Sequence, residues 1–300
     1  MRNRMITMMS VGLALCTSRG LLADEAQNQA EAPEPSSFWQ ARVYALGDSA
    51  LKEGAASYAT SHVALELGHR QWRLGLERQF FAWRSAAAFV EETGGRDPWS
   101  FFNRVKVGFS HQYRPSARWM VEMLAGGALG FEEEASDSLT GYLGGYGLCR
   151  LNPRLFVLAG VFYSRHQKIE TDFDLVPILG VAWNPGEKRG FSAQLGLPET
   201  QARWHFTERT RLVLDLNTLG GGVTRLANDS PVRERGYVEL SNASLTLRLE
   251  TRLGDDLDVS LGIGHSVHRE MNIYDKDGGN RRSVDIERGP SIEIACRKPF

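Results

Sequence analysis

The stretch of sequence that decides the fold is Leu257–Val267, LDVSLGIGHSV. Every second residue from Leu257 to Ile263 is apolar, and the residues between them are Asp, Ser and Gly. Side chains alternate across a β-strand, so this pattern predicts a strand with one apolar face and one polar face. A helix would need apolar residues three and four positions apart, which this stretch lacks.

The same alternation recurs along the chain, and the connections between the alternating segments differ in length. Further apolar sets are Val63, Leu65 and Leu67; Val105, Val107 and Phe109; Leu212, Leu214 and Leu216; and Leu245, Leu247, Leu249 and Leu253. Short connections lie near 68–70, 114–116, 152–154, 184–188, 207–210 and 254–256, and longer polar loops lie at 84–100, 132–137, 228–233 and 275–281. Short turns at one end and longer loops at the other are typical of transmembrane β-barrels.

We therefore predict an all-β protein, a single antiparallel transmembrane β-barrel with an up-and-down meander over residues 38–300. If both termini lie on the same side of the membrane, the number of strands is even. The segments give fourteen strands, or twelve if the strand at 38–48 and the break at Pro198–Thr200 are both absent.

The N-terminus predicts export. Arg2 and Arg4 precede an apolar stretch, Met5–Cys16, which is too short to span a bilayer as a helix. We expect a signal peptide at 1–23, with cleavage after Ala23 or alternatively after Gly20. Residues 24–37 are acidic, contain two prolines and have no large apolar side chain, which indicates a disordered linker.

Composition and motifs exclude several classes of function. Lys and Arg total 35 against 36 Asp and Glu, so the chain lacks the basic excess of a nucleic-acid-binding protein. No Gly-rich phosphate loop, HExxH or CxxC motif is present, and we predict no cofactor and no metal. His265 and His268 should lie on opposite faces of a strand, with His268 facing inward. Cys149 and Cys296 are read as two small apolar residues rather than a disulfide.

Charged residues on the polar faces of the strands are the candidate functional residues. On a lipid-facing surface each Arg or Lys would cost about 2–4 kcal/mol at the bilayer midplane, so we expect them to line the lumen. Such a lining is either a hydrated, ion-paired interior or a pore wall that selects small polar solutes. The lumen-lining candidates are Glu66, Arg73, Glu77, Arg104, Lys106, Arg118, Glu122, Asp215, Arg248, Glu250, Arg252 and Asp258.

At this point the chain resembles the outer-membrane β-barrel proteins of Gram-negative bacteria, as a member of an uncharacterised family. The resemblance rests on the export signal, the alternation, the uneven loops and a C-terminal strand that ends at Phe300, although Lys298 departs from the usual pattern. It implies location in the outer membrane, contact with membrane lipid and lipopolysaccharide, and recognition of that last strand by the barrel assembly machinery. Aromatic residues expected at the membrane interface are Trp72, Trp83, Tyr113, Trp119, Tyr163, Trp183, Trp204 and Phe206.

The predicted function is a small-solute pore or a structural envelope component, without enzymatic activity. The alternative is an outer-membrane enzyme that acts on envelope lipids, because Ser260, Ser266 and His268 share one polar face of a strand. A lesser alternative is a soluble periplasmic β-sandwich.

Overall fold

The computed structural model describes residues 37–52, 56–169, 174–185, 188–197 and 199–300. Nearly all of them belong to one sheet of strands. The strands are β1 (Ser37–Ala50), β2 (Ala56–His69), β3 (Trp72–Ala86), β4 (Phe101–Ser116), β5 (Trp119–Phe131), β6 (Leu139–Asn152), β7 (Leu155–His166), β8 (Leu175–Trp183), β9 (Gly190–Leu197), β10 (Glu199–His205), β11 (Thr210–Arg225), β12 (Tyr237–Leu253), β13 (Leu257–Tyr274), β14 (Arg282–Asp285) and β15 (Pro290–Pro299). A 3₁₀ turn, Ala87–Phe89, and one short helix, α1 (Val90–Thr93), lie between β3 and β4.

No helix in the described ranges is long and apolar enough to cross a membrane.

The sheet closes on itself through its last strand. Each strand is antiparallel to the next, and β15 pairs with both β1 and β13. β14 also pairs with β13, so β14 and β15 are two parts of one wall strand. The wall therefore has fourteen strands, which confirms the prediction. This wall strand is interrupted between β14 and β15, where Gly289 bonds to Ser266 instead.

The outside of the barrel is apolar, as the alternation predicted. Leu261 and Ile263 are 51% and 62% exposed, whereas Glu293 on the neighbouring strand is only 8% exposed. This is the reverse of a water-soluble protein, in which a sandwich would bury Leu261 and Ile263. The exposed apolar belt includes Val63, Leu65, Leu67, Leu74, Leu76, Val107, Leu143, Leu179, Leu195, Leu214, Leu245, Leu247, Leu249, Ile292 and Ile294.

The two ends of the barrel differ. The short turns share one end with Ser37, the first described residue, and with Phe300. Exposed aromatic side chains flank these turns: Trp72, Tyr113, Trp119, Trp183, Trp204 and Phe206. Short turns and an aromatic girdle identify this as the periplasmic end of an outer-membrane barrel. Trp83 was expected in the girdle, but it packs instead against the buried ring of Tyr58 at the outer end, with ring centroids 4.8 Å apart.

The wall divides at the outer end because β11 leaves its neighbour. The pairing of β10 with β11 ends at Asn217, and Gly221 and Gly222 then adopt positive φ angles of 133° and 151°. The rest of β11 crosses to β5, where Arg225 pairs in parallel with Phe131. Strands β1–β5 and β11–β15 thus close a smaller ring at this end, which we call the outer ring.

An apolar core fills the outer ring. Phe89 and Trp99, from the long loop between β3 and β4, are 0% and 2% exposed. They pack against the wall residues Tyr58, Phe81 and Phe102 and, across the ring, against Leu226, Val238, Met271, Ile273 and Val284. The β3–β4 loop therefore folds into the barrel mouth and closes it.

Two sequence predictions concern segments at the edge of this structure. The predicted signal peptide, 1–23, and the linker, 24–37, lie outside the described residues, except that Ser37 is the first residue of β1.

Cys149 and Cys296 are both free.

The lipid-facing belt gives a test of the fold. Leu247→Arg puts a charge in the middle of the belt, and we expect it to lower the free energy of unfolding in lipid vesicles by about 2–4 kcal/mol. Leu253→Arg on the same face, next to a periplasmic turn, should cost only about 0–1 kcal/mol. Denaturant unfolding, followed by the shift in gel migration between unboiled and boiled protein, measures both. Equal costs would contradict the lipid-facing assignment.

Candidate functional site

The charged candidates lie mainly along one side of the barrel. Eleven of the twelve are on wall strands β2–β5 and β11–β13. Arg118 is the exception, because the structure places it in the exposed turn between β4 and β5. Arg118 lies an even number of positions before Glu122, so alternation would place both side chains on the polar face of β5. The strand begins only at Trp119, however, and Arg118 is exposed to solvent beyond the wall.

A first group of ion pairs centres on Glu77 of β3. Its carboxylate contacts the ammonium group of Lys106 on β4, and it lies 3.6 Å from Nε2 of His62 and 3.8 Å from the guanidinium of Arg104. Lys106 is only 5% exposed. Arg104 also donates to the carbonyl oxygen of Gly221, at 2.9 Å, and so ties β4 to the crossing segment of β11.

A second group lies on β11 and β12. The guanidinium of Arg248 is 3.2 Å from Asp215 and 3.3 Å from Glu250, and Glu250 also accepts a bond of 2.8 Å from Arg211. Arg252 and Asp258 form a pair at the periplasmic rim, where both are about half exposed. Arg73 and Glu66 are 4.0 Å apart on β3 and β2. Buried charges are tolerated because they are paired in this way.

The opposite side of the interior is apolar, which sequence reasoning missed. Strands β5–β8 turn apolar side chains inward as well as outward: on β7, Val161 is 50% exposed whereas Phe162 is 1% exposed. The inward set is Met120, Leu124, Tyr142, Tyr146, Leu148, Phe156, Leu158, Phe162, Ile178 and Ala182. Glu122 is the charged candidate among them, and it accepts a bond from the hydroxyl of Tyr146. The sequence feature that could have predicted this apolar inner surface is the unbroken apolar run LFVLAGVFY at 155–163, which does not alternate.

A vestibule of about 340 Å³ occupies the periplasmic end of the charged side. Its cationic lining residues are Arg42, Lys188, Arg203, Arg209, Arg211, Arg248, Arg252 and Arg297, and its acidic ones are Glu208, Glu250, Asp258 and Glu293. Eight cationic residues thus face four acidic ones, although the whole chain is nearly neutral. Arg42, Arg203 and Arg297 were not among the candidates, although alternation along their strands would have placed them inward.

Some buried polar atoms inside the barrel have no hydrogen-bond partner among the described residues. They include Oη of Tyr44, Oε1 of Gln201 and Oγ of Ser291. Buried polar groups are nearly always hydrogen-bonded, to protein or to water.

The residues considered for catalysis do not form a site. The hydroxyl of Ser266 bonds to Gly289, and His268 lies 3.7 Å from Glu270. A bulge between these two residues puts His268 on the opposite face from Ser266, so the prediction that His268 faces inward is wrong. A different pair, Ser192 and His205, is in contact at 3.3 Å, and both residues are buried.

Within the described part of the chain, no group of three or more His, Cys, Asp or Glu side chains is placed to hold a metal ion.

Closure of the wall, the apolar belt and the periplasmic girdle together decide the class of protein. The chain is an outer-membrane β-barrel protein. Its lipid-facing belt places membrane lipid around the wall, as predicted.

Comparisons with known proteins give only distant similarities. No family model matches the sequence, and no curated protein matches it. Among solved structures, the chain is similar to the KdgM porin, with 8% identity, 87% of this chain and 99% of that chain covered, and a TM-score of 0.37. It is also similar to the NanC porin, with 9% identity, 87% and 100% covered, and a TM-score of 0.39. An outer membrane channel from Pseudomonas putida F1 gives 9% identity, 91% and 98% covered, and a TM-score of 0.39.

The buried ion pairs give a second test. Glu77→Gln leaves Lys106 buried without its carboxylate, and we expect a loss of about 3–5 kcal/mol in the free energy of unfolding. The double variant Glu77→Gln/Lys106→Met removes both charges and should recover most of that loss. Arg252→Gln, at the exposed rim, should change the free energy by about 0–1 kcal/mol. Denaturant unfolding in vesicles measures all three, and no recovery in the double variant would argue against the pairing.

Proposed function

We propose that the barrel is a small-solute pore that favours anions, lined on one side by the eleven charged candidates of the wall strands. The observation that carries the proposal is the periplasmic vestibule, where cationic residues outnumber acidic ones by eight to four. Rings of cationic side chains favour anions in pores, since a narrow low-dielectric passage strengthens the field of each charge.

The outer end would be the gate of this pore. The described conformation is closed there, because Phe89 and Trp99 fill the outer ring. Three hydrogen bonds that tie this loop to the wall run from the indole nitrogen of Trp83 to the carbonyl of Trp99 at 2.8 Å, from the backbone N–H of Phe81 to the carbonyl of Ser100 at 2.9 Å, and from Arg282 to the carbonyl of Ala88 at 3.1 Å. Movement of this loop, while the hydrogen-bonded wall stays intact, would join the vestibule to the outer surface.

Two other roles remain as alternatives. A barrel that never conducts ions would be a structural envelope component, and its wall would have the same features as the wall of a pore. An enzyme acting on envelope lipids would need a nucleophile that lipid can reach, and Ser192 is 1% exposed. The absence of enzymatic activity therefore stays a prediction of the proposal.

The termini would serve export and assembly. We propose that residues 1–23 direct secretion, that 24–36 are a periplasmic leader, and that the barrel assembly machinery recognises the last strand. The end of that strand is accessible, since Phe300 is 71% exposed, and β15 is the strand that closes the wall. Contact of the outer loops with lipopolysaccharide belongs to the same proposal.

Ion selectivity tests the pore. The double charge reversal Lys188→Glu/Arg209→Glu changes two exposed vestibule residues, and we expect the reversal potential in a salt gradient to shift from anion-selective toward cation-selective. Planar-bilayer recordings of the purified protein give the measurement. Arg70→Glu, in an exposed turn that does not line the vestibule, is the matched control and should leave selectivity unchanged. Absence of conductance steps under any condition would leave only the structural role.

Conductance also tests the gate. Phe89→Ala and Trp99→Ala remove rings from the outer core, and each should raise the open probability because the loop loses its apolar contacts. Trp72→Ala removes an aromatic ring from the lipid-facing surface and should leave the open probability unchanged. Single-channel recordings at fixed voltage compare the three variants. If the gate lies elsewhere, the three variants and the unmodified protein will have equal open probabilities.

A further inference from the structure

The periplasmic vestibule has cationic side chains at its rim that no ion pair within the described residues engages. Deeper in the vestibule, Arg248 is paired with Glu250 at 3.3 Å. Lys188 and Arg209, in the turns that follow β8 and β10, line the vestibule, are exposed and form no ion pair with another described residue. Glu208, beside Arg209, is also exposed and pairs with neither of them. The rim can therefore bind acidic groups without breaking an existing pair.

Strand β1 begins beside the same vestibule. The carbonyl oxygen of Ser37 accepts the backbone N–H of Phe300 at 3.0 Å, and its hydroxyl lies 2.8 Å from Nδ1 of His69, so the start of β1 is fixed at the periplasmic rim. Gln40 and Arg42, three and five positions further along, already line the vestibule. The segment that precedes Ser37 is therefore attached to the wall at the mouth of the vestibule.

The segment that precedes Ser37, residues 24–36, has the charge opposite to that of the vestibule. Its acidic residues are Asp24, Glu25, Glu31 and Glu34, and it contains no Lys, Arg or His. The lining of the vestibule has eight cationic residues and four acidic ones, an excess of four positive charges. The four acidic side chains of the segment thus equal the positive excess of the cavity next to which the segment is attached.

The length of the segment is sufficient to reach every part of the vestibule. Residues 24–36 can span up to about 45 Å, since each residue of an extended chain adds at most about 3.3–3.6 Å. Fourteen strands about 4.8 Å apart and tilted by about 40° form a barrel about 28 Å wide. A short tether also gives a local concentration of about millimolar order. Exposed ion pairs, which are weak one by one, are then enough to hold the segment in place.

We propose that residues 24–36 dock in the vestibule of their own chain, with their carboxylates against its cationic lining, including Lys188 and Arg209. The docked segment obstructs the periplasmic entrance of the barrel and competes with anionic solutes for the same cationic side chains. The segment is thus an autoinhibitory element of the barrel. This inference rests on the proposed export, in which residues 1–23 are removed, but it does not require that the barrel conducts.

Photo-crosslinking within the purified, signal-cleaved protein tests the docking. Ala30→p-benzoylphenylalanine places the probe in the middle of the segment, and mass spectrometry of the monomer band locates the crosslinks. At 0.1 M salt we expect crosslinks to Lys188 and to lining residues within 201–211, which lie four or more strands away from β1. Neutralising the segment with Asp24→Asn/Glu25→Gln/Glu31→Gln/Glu34→Gln should lower their yield about tenfold, because several exposed ion pairs are lost together.

The matched control is Asp255→Asn/Asp256→Asn, which neutralises exposed acidic residues of a periplasmic turn outside the vestibule and should leave the yield unchanged. Raising the salt to 1 M shortens the screening length from about 10 Å to about 3 Å, so the crosslinks of the unmodified segment should decline while those of the neutralised segment stay constant. Heat-modifiable gel migration confirms that each variant is folded.

The possible outcomes separate the docking from the pore. Crosslinks confined to residues outside the vestibule, or vestibule crosslinks that persist after neutralisation of the segment, would overturn the docking even if planar-bilayer recordings show anion-selective conductance. Vestibule crosslinks that depend on salt and on the four acidic residues would support the docking even if no conductance steps are seen.

Discussion

The structure depends on one constraint: in a hydrocarbon layer, every backbone N–H and C=O group must be satisfied by the protein itself. A sheet meets this constraint only by closing, which β15 achieves by pairing with β1 on one side and β13 on the other. Closure also fixes the direction of the side chains, because successive residues of a strand face alternately the lipid and the interior of the barrel. Leu261 therefore faces the membrane and Ser260 does not.

The outer end shows how far the constraint relaxes where the chain leaves the lipid. β11 separates from β10, bends at Gly221 and Gly222, and crosses to β5. A Cβ atom at Gly221 would lie 1.8 Å from the carbonyl oxygen of Leu240, and one at Gly130 would lie 2.1 Å from that of Val223. Only glycine allows these approaches, so this bend makes the closed outer ring possible.

The interior is divided between two chemistries. One side holds charged groups that would be costly to bury without a partner and that are paired with one another. This side opens to the periplasm through a cationic vestibule. The other side holds an aromatic and aliphatic cluster on strands β5–β8. A uniformly polar interior would suit only water-soluble solutes, whereas this arrangement separates a polar route from an apolar surface within one barrel.

The sequence by itself determined the strands and the lipid-facing set, and it limited the number of strands to twelve or fourteen, because alternation is a local property that each strand carries in its own residues. It also indicated that Glu77, Lys106, Asp215 and Arg248 lie inward, but not which charges pair, since the partners come from different strands. Tertiary structure alone decided the crossing of β11, the packing of Trp99 into the mouth and the bulge that turns His268 outward. These features depend on contacts between residues far apart in sequence, about which the period of a single strand carries no information.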